Sequence, residues 1–409
     1  MARASNGRST IYADKNGRWH GQVSMGRDAS GQPVRRHVSA QTRAGATKKV
    51  KALEADRDSG KPAVRSSRTT LAEWMIEWIA TKEVEQYVAR STIQGYKTDQ
   101  PHLNLIGDVR LVDLGPSHIE HLWRTMASSG QFATIHHCRR TLSAALNDAV
   151  RAGLLARNSV ALTRVPRYEP DEPEPYTVAE MRRLLDAASK LPNGVLYMVL
   201  AATGARRSEV CGLQWRHVIH GPPASLSIQQ QIQRSTWRHG CSDPTHCRKR
   251  GVDCPERAGD GGLKIVPLKT QKSRRSVVLP ESLAEALEAH RAAQRVDRIA
   301  ARVWDERDWV FCWRAIGSPL DPRAVSRGFG DLCRAAGVPV RKLHTLRHSF
   351  ATLQLTIAGQ PLQVVSRQLG HSSARVTSGT YSHVLVAADE LAAAETERLL
   401  FPGAGGAGK

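Results

Sequence analysis

Acidic residues are scarce beside basic ones in this 409-residue chain: 38 Asp and Glu face 59 Lys and Arg, a formal net charge of +21. That deficit disfavours a basic substrate or partner. It favours a polyanion, because cationic side chains that neutralise phosphates release condensed counterions. Long apolar runs are missing too. Nothing approaches the ~20 apolar residues that cross a bilayer, which argues against a membrane-spanning helix. The opening MARASNGRSTIYADKNGRW lacks the apolar stretch of a secretory signal, so the expected compartment is the cytoplasm. Cysteine occurs seven times, an odd count that argues against a disulfide framework in such a compartment. Neither a Gly-x4-Gly-Lys-Ser/Thr loop nor a paired-carboxylate metal motif is present, which leaves out the usual signs of ATP use and metal-assisted phosphate chemistry.

What is there divides into segments. A length of 409 residues suits several domains at roughly 100–200 residues each. Residues 1–66 hold a disproportionate share of the positive excess. STIYADKNGRWHGQVSMG and PVRRHVSA read as short strands broken by Asn-Gly and DASGQ, and AGATKKVKALEADRDSG reads as a helix stopped by Gly60 and Pro62. The expectation is a basic three-stranded sheet plus one helix, suited to a groove of duplex DNA.

Residues 67–168 turn helical. Thr70 with Glu73 forms a capping box, and Leu71, Trp74, Met75, Trp78 and Ile79 share one helix face. A second helix is expected from Ser91 and Gln94 to near Pro101, a third from Ser117 and Glu120, and a fourth along TIHHCRRTLSAALNDAVRAG to Gly153. The proline- and acid-rich VPRYEPDEPEPYT then reads as a linker. Residues 169–400 start with another capping box, Thr177 with Glu180, and mix helices with strands. SLSIQQQIQ reads as one strand, and GLKIVPLKTQKSRRSVVLP as a hairpin turning near Thr270–Ser273. Residues 401–409 read as a flexible tail. The fold class expected is multidomain and mainly α with small β-sheets.

The last large segment carries groups that suit covalent attack on a phosphodiester. That reaction needs a nucleophile, cations around the pentacoordinate phosphorus and a proton donor for the departing oxygen. Without a metal, arginine is the natural cation, since its fork matches phosphate oxygens bidentately. ATGARRSEVCGLQW (202–215) has Arg206, with Arg207 as an alternative, at the turn into a helix and Glu209 three residues on. HTLRHSFAT (344–352) puts His344 and Arg347 on one helix face. LGHSSARVTSGTYSHV (369–384) contributes His371 and Tyr381. Read singly, each has a plain structural use: His344 as a helix cap, Arg347 in a core ion pair, His371 at a helix end, Tyr381 as a half-buried phenol. Their joint order favours chemistry.

These three segments resemble the boxes of the tyrosine recombinase family, the phage-type integrases. The resemblance extends over the whole chain in outline. It implies an arm-type DNA-binding domain over 1–66, a helical core-binding (SAM-like) domain of four helices over 67–168, and a mixed α+β catalytic domain over 169–400. It also implies residue roles. Tyr381 is the nucleophile that forms a 3′-phosphotyrosine, and Arg206 and Arg347 hold the scissile phosphate. His344 and His371 donate hydrogen bonds to the transition state, and Glu209 buttresses the site. The family's lysine on a hairpin turn matches Lys269, with Lys264 and Lys272 as rivals. The implied activity is integration and excision of a mobile element, without ATP or metal. The implied partners are double-stranded attachment-site DNA, a homotetramer, and accessory DNA-bending or excision factors. A type IB topoisomerase and an inactive DNA-binding regulator are the alternatives. The helix expected over 386–400 is a candidate for packing on a neighbouring subunit or on its own domain.

One stretch is left over. HGCSDPTHCRKRGVDCPERAGDGG (239–262) interrupts the third segment within an insertion spanning 237–262. Cys241, Cys247 and Cys254, with His239 and His246, are candidates for four zinc ligands. Their spacing departs from the usual Cys-x2–4-Cys pairs, and the alternative is a charged, glycine-rich loop with free thiols. The insertion resembles those in integrases of actinobacterial integrative elements.

Overall fold

The computed structural model describes residues 9–27, 32–58, 68–85, 87–168, 174–241, 247–259, 261–268, 270 and 273–370. Lys269, Lys272, His246, His371, Tyr381 and the segment 386–400 therefore lie outside the described residues. The chain divides into two compact units, Met1–Asp171 and Glu172–Lys409.

The first unit opens with an antiparallel meander of β1 (Thr10–Ala13), β2 (Trp19–Arg27) and β3 (Pro33–Ala40), followed by α1 (Arg43–Asp58). Asn16-Gly17 makes the β1–β2 turn, with Gly17 at φ +74° and Asp14 accepting from the Asn16 and Arg18 amides. Helix α1 lies close on the sheet: a Cβ on Gly21 would come within 2.3 Å of Val50. Val23, Ala46 and Val50 are buried there.

Four helices follow: α2 (Leu71–Glu85), α3 (Arg90–Leu103), α4 (Pro116–Ser128) and α5 (Phe132–Arg151). The Thr70–Glu73 box forms reciprocally, at 2.9 and 3.3 Å. The expected stripe of α2 is buried, and its indoles tie it to α5 through the Ala145 carbonyl and the Asp148 carboxylate. Two expectations are corrected. Helix α3 starts at Arg90 with no side-chain cap at Ala89, so Ser91 and Gln94 do not cap it, while its end at Leu103 lies near Pro101 as expected. Helix α4 begins at Pro116, and the Gly115 amide donates to His118 Nδ1, so Ser117 and Glu120 do not cap it.

The second unit is built from α6 (Val178–Ser189), α7 (Val195–Thr203), α8 (Arg207–Cys211), small strands, and α9 (Glu281–Ala300), α10 (Pro322–Ala335), α11 (Thr345–Thr352) and α12 (Leu362–Leu369). The Thr177–Glu180 box caps α6 as expected. The strands correct the sequence reading. SLSIQQQIQ splits at Gln229 into β5 (Ser225–Ile228) and β6 (Gln230–Ser235). After β4 (Val218–Ile219), β5 and β6 come the short pair β7 (Arg238–His239) and β8 (Arg257–Ala258), then β9 (Gly262–Pro267) and β10 (Arg275–Val278). The last two do not pair as a hairpin. Strand β9 pairs with β6, from Gln230 opposite Pro267, while β10 pairs with β5, from Ile228 opposite Arg275. The two arms thus pair with the successive strands β6 and β5, which are separated at Gln229. The Thr270–Ser273 turn does form, through the Ser273 amide and paired hydroxyls. The whole is multidomain and mainly α with small sheets.

Candidate active site

Helix α7 ends at Gly204, whose φ of +59° lets the chain turn sharply into Arg206. No side chain fits here: a Cβ would meet Phe350 at 2.5 Å and Leu369 at 2.8 Å. Gly204→Ala should therefore lower stability by at least the ~1–2 kcal/mol of a left-handed alanine, with displacement of Phe350 added, as read by urea unfolding.

Arg206 caps α8 in extended conformation, and its amide donates to Glu209 Oε2 at 2.9 Å. Its guanidinium also reaches Glu209 Oε1 at 2.8 Å. Glu209 is 1% exposed and takes a third donor, Arg275 of β10, on Oε2 at 2.8 Å. Burial pushes the Glu209 carboxyl up, but the Arg275 and Arg206 charges and hydrogen bonds outweigh it, so it is held below the usual carboxylate range.

Arg347 projects from α11 and is almost wholly buried. Its two terminal nitrogens donate to the Gly204 carbonyl at 2.6 Å and the Leu369 carbonyl at 2.7 Å. The α12 C-terminus thus collects three guanidiniums on three successive carbonyls. Arg275 donates to Gln368 at 2.5 Å, Arg347 to Leu369, and Arg206 to Gly370 at 3.4 Å. A helix C-terminus carries partial negative charge, which suits this gathering of cations. Gly370 ends the helix at φ +69°, with the Arg275 guanidinium 2.8 Å from where a Cβ would stand.

Beside these groups is a cavity of about 550 Å³, lined by Arg206, Arg207, Lys342, His344 and Arg347 among others. The His344 ring is exposed at its rim and meets the His348 ring edge-on at 4.9 Å. Partial loss of hydration, then His348 and the cations Arg347, Arg206 and Arg207, hold its pKa well below the usual histidine value. A neutral imidazole at pH 7 follows. NMR titration should place the His344 midpoint below about 6.5, and Arg206→Ala should move it upward; an unmoved midpoint would contradict this electrostatic reading.

Four of the expected site residues, Arg206, Glu209, His344 and Arg347, thus come together. Lys269, His371 and Tyr381 are outside the described residues, although Leu268 and Gly370 directly precede Lys269 and His371. Lys264 lies on β9 opposite Gln233. Arg207 turns instead to the Ser326 hydroxyl on α10. Sequence reasoning missed Arg275. Its signal was the alternation of β10, in which Arg275 and Val277 face inward and Ser276 and Val278 outward. An arginine on the inward face of a strand needs a buried partner.

A buried carboxylate that sets two arginines, next to a cavity bearing cations and an imidazole, suits an anion such as a phosphodiester better than a neutral ligand. Comparison with known proteins agrees. Residues 258–387 match the phage integrase family. An integrase from Saccharopolyspora erythraea is 33% identical over 94% of each chain, and one from Streptomyces ambofaciens 29% over 93% of each. A Tn1549 transposon integrase solved with transposon right-end DNA is similar in fold, with a TM-score of 0.62 and 22% identity over 81% of this chain and 99% of that one. A lambda integrase dimer on a COC′ core site has a TM-score of 0.52 and 18% identity over 93% and 96%. The chain belongs to the phage integrase family. It is a site-specific DNA recombinase of the tyrosine type, acting in the integration or excision of mobile elements.

Proposed function

We propose the following division of labour for strand cleavage. The Tyr381 phenol oxygen attacks the scissile phosphorus, forming a 3′-phosphotyrosyl bond as the bond to the deoxyribose 5′ oxygen breaks. The phenol gives up its proton to solvent, and Lys269 supplies one to the departing 5′ oxygen. Arg206 and Arg347 grip the non-bridging oxygens, His344 and His371 donate hydrogen bonds to them, and Glu209 holds Arg206 in place. Attack by a 5′ hydroxyl from the partner duplex reverses the step and rejoins the strands. The phosphodiester energy stays in the covalent link, so neither ATP nor a catalytic metal is needed. The observation that carries this reading is the convergence of Arg206, His344 and Arg347 on one cavity, above the buried Glu209.

Around this chemistry, residues 1–66 serve as an arm-type DNA-binding domain, 67–168 as the core-binding domain and 169–400 as the catalytic domain. The excess of basic charge supplies phosphate contacts. A lambda integrase has been solved as a tetramer on a Holliday junction. We extend that assembly to this chain: a homotetramer on two attachment-site duplexes, assisted by accessory DNA-bending or excision factors, in the cytoplasm. Among the described residues no helix is long and apolar enough to cross a membrane.

The test uses a nicked duplex taken from direct repeats that bound the element carrying the gene. Incubation should leave a denaturation-resistant protein–DNA adduct. After proteolysis, the peptide bearing the nucleotide should contain Tyr381; a nucleotide on any other residue rejects the assignment.

A further inference from the structure

The described residues of the insertion between β6 and β9 form a small knuckle that includes none of the groups assigned to strand cleavage above. Its short ladder pairs Arg238 with Ala258 and His239 with Arg257. Backbone segments approach closely: a Cβ on Gly240 would lie 2.0 Å from the Glu256 carbonyl, and one on Gly251 2.1 Å from the Trp237 carbonyl. Arg257 stacks on Trp237 at 4.9 Å. Yet among the described residues of 237–262, Cys254 alone is buried, and Val252 is 41% exposed. Two paired residues per strand and no apolar core do not hold such a fold in water.

We propose that His239, Cys241, Cys247 and Cys254 bind one structural zinc ion that holds this knuckle together. One ligand atom from each lies within 4.8 Å of all the others. Zinc with Zn–S of about 2.3 Å and Zn–N of about 2.0 Å gives a tetrahedron with S···S edges of about 3.8 Å and S···N edges of about 3.5 Å. Cys254 Sγ and Cys241 Sγ are 3.8 Å apart, and Cys241 Sγ and His239 Nδ1 are 3.7 Å apart. Three thiols and an imidazole are borderline-soft donors that suit zinc rather than magnesium or calcium. Four protein ligands close the coordination sphere, which is the pattern of a structural rather than a catalytic ion. The set is complete without His246. A disulfide is the competing use of two of these thiols, and it would leave the third thiol and the imidazole without a purpose. The thiols give up their protons to solvent as the ion enters, so the ladder and the metal form together.

Elemental analysis of the full chain, purified in reducing buffer, should find zinc equimolar with protein. His239→Ala and Cys254→Ser should bring it close to zero, whereas His246→Ala should retain it. If Cys254→Ser fails to fold, Cys247→Ser, at a half-buried position, makes the same measurement. Chelator should speed tryptic cleavage at Arg248–Lys249–Arg250. A chain that stays zinc-free after incubation with zinc chloride overturns the proposal, whether its thiols prove free or joined as a Cys241–Cys254 disulfide. The readout involves no DNA, so its outcome is independent of the roles given to Tyr381 and its neighbours.

Discussion

Arg347→Ala should slow strand cleavage by a factor of about 100 to 1000, the usual consequence of removing one positioned donor from a developing oxyanion, while duplex affinity changes only a few-fold. The asymmetry follows from number and position. Binding draws on many cationic side chains, each a small part of a large electrostatic sum. Cleavage draws on the few donors fixed at one phosphate. Arg347 is fixed by the Gly204 and Leu369 carbonyls, so its guanidinium arrives already oriented and little reorganisation is left for the reaction. Because those same bonds join α11 to the end of α12, alanine also threatens the fold. Arg347→Lys separates the effects. It keeps a cation in the same place but loses the planar fork, so it should fold and bind yet still cleave at least ten-fold more slowly. Single-turnover cleavage of the nicked duplex and a binding titration read the two quantities. Equal losses in both would make Arg347 a general DNA-binding residue and remove its place at the scissile phosphate.

The second large effect is on stability. Glu209→Ala should cost about 3–5 kcal/mol, because it strands the buried Arg275 without a counter-charge. The carboxylate is shared: Arg275 takes one oxygen, Arg206 the other, and the Arg206 amide adds a third bond. Glu209→Gln keeps the shape and loses the charge, so it should sit between wild type and alanine in chemical unfolding. Acid should act in the same sense. The folded carboxyl titrates below its unfolded value, so the unfolded chain takes up the proton first as pH falls. The contribution is complete above the unfolded glutamate value of about 4.3 and is lost as pH drops through the lower folded value. Unfolding midpoints followed from pH 6 downward should show this loss in wild type and a shallower fall in Glu209→Gln. Parallel curves would mean that the ion pair is not what the acid titrates.

Much of the arrangement was legible in the chain because the relevant signals are local. Capping boxes at Thr70 and Thr177 act over three residues, and the α2 stripe follows from helical periodicity alone. Arg206 with Glu209, and His344 with Arg347, are likewise near neighbours in sequence. What escaped depends on distant partners. Arg275 has a reason to exist only once β10 is beside β5 and Glu209 is beneath it, a relation spanning 66 residues. The β9–β10 hairpin was misread because a turn at Thr270–Ser273 predicts a reversal of direction but not which strand receives each arm.

The connection from β9 to β10 starts where Pro267 is held opposite Gln230 of β6 and ends where Arg275 is held opposite Ile228 of β5. Its length is consequently decoupled from the register on either side. Residues can be added to or trimmed from it during evolution, or by an engineer, without sliding a single side chain of the scaffold to the wrong face. The length of that connection is thus a dimension that selection can tune by itself, while the strands on either side keep their partners.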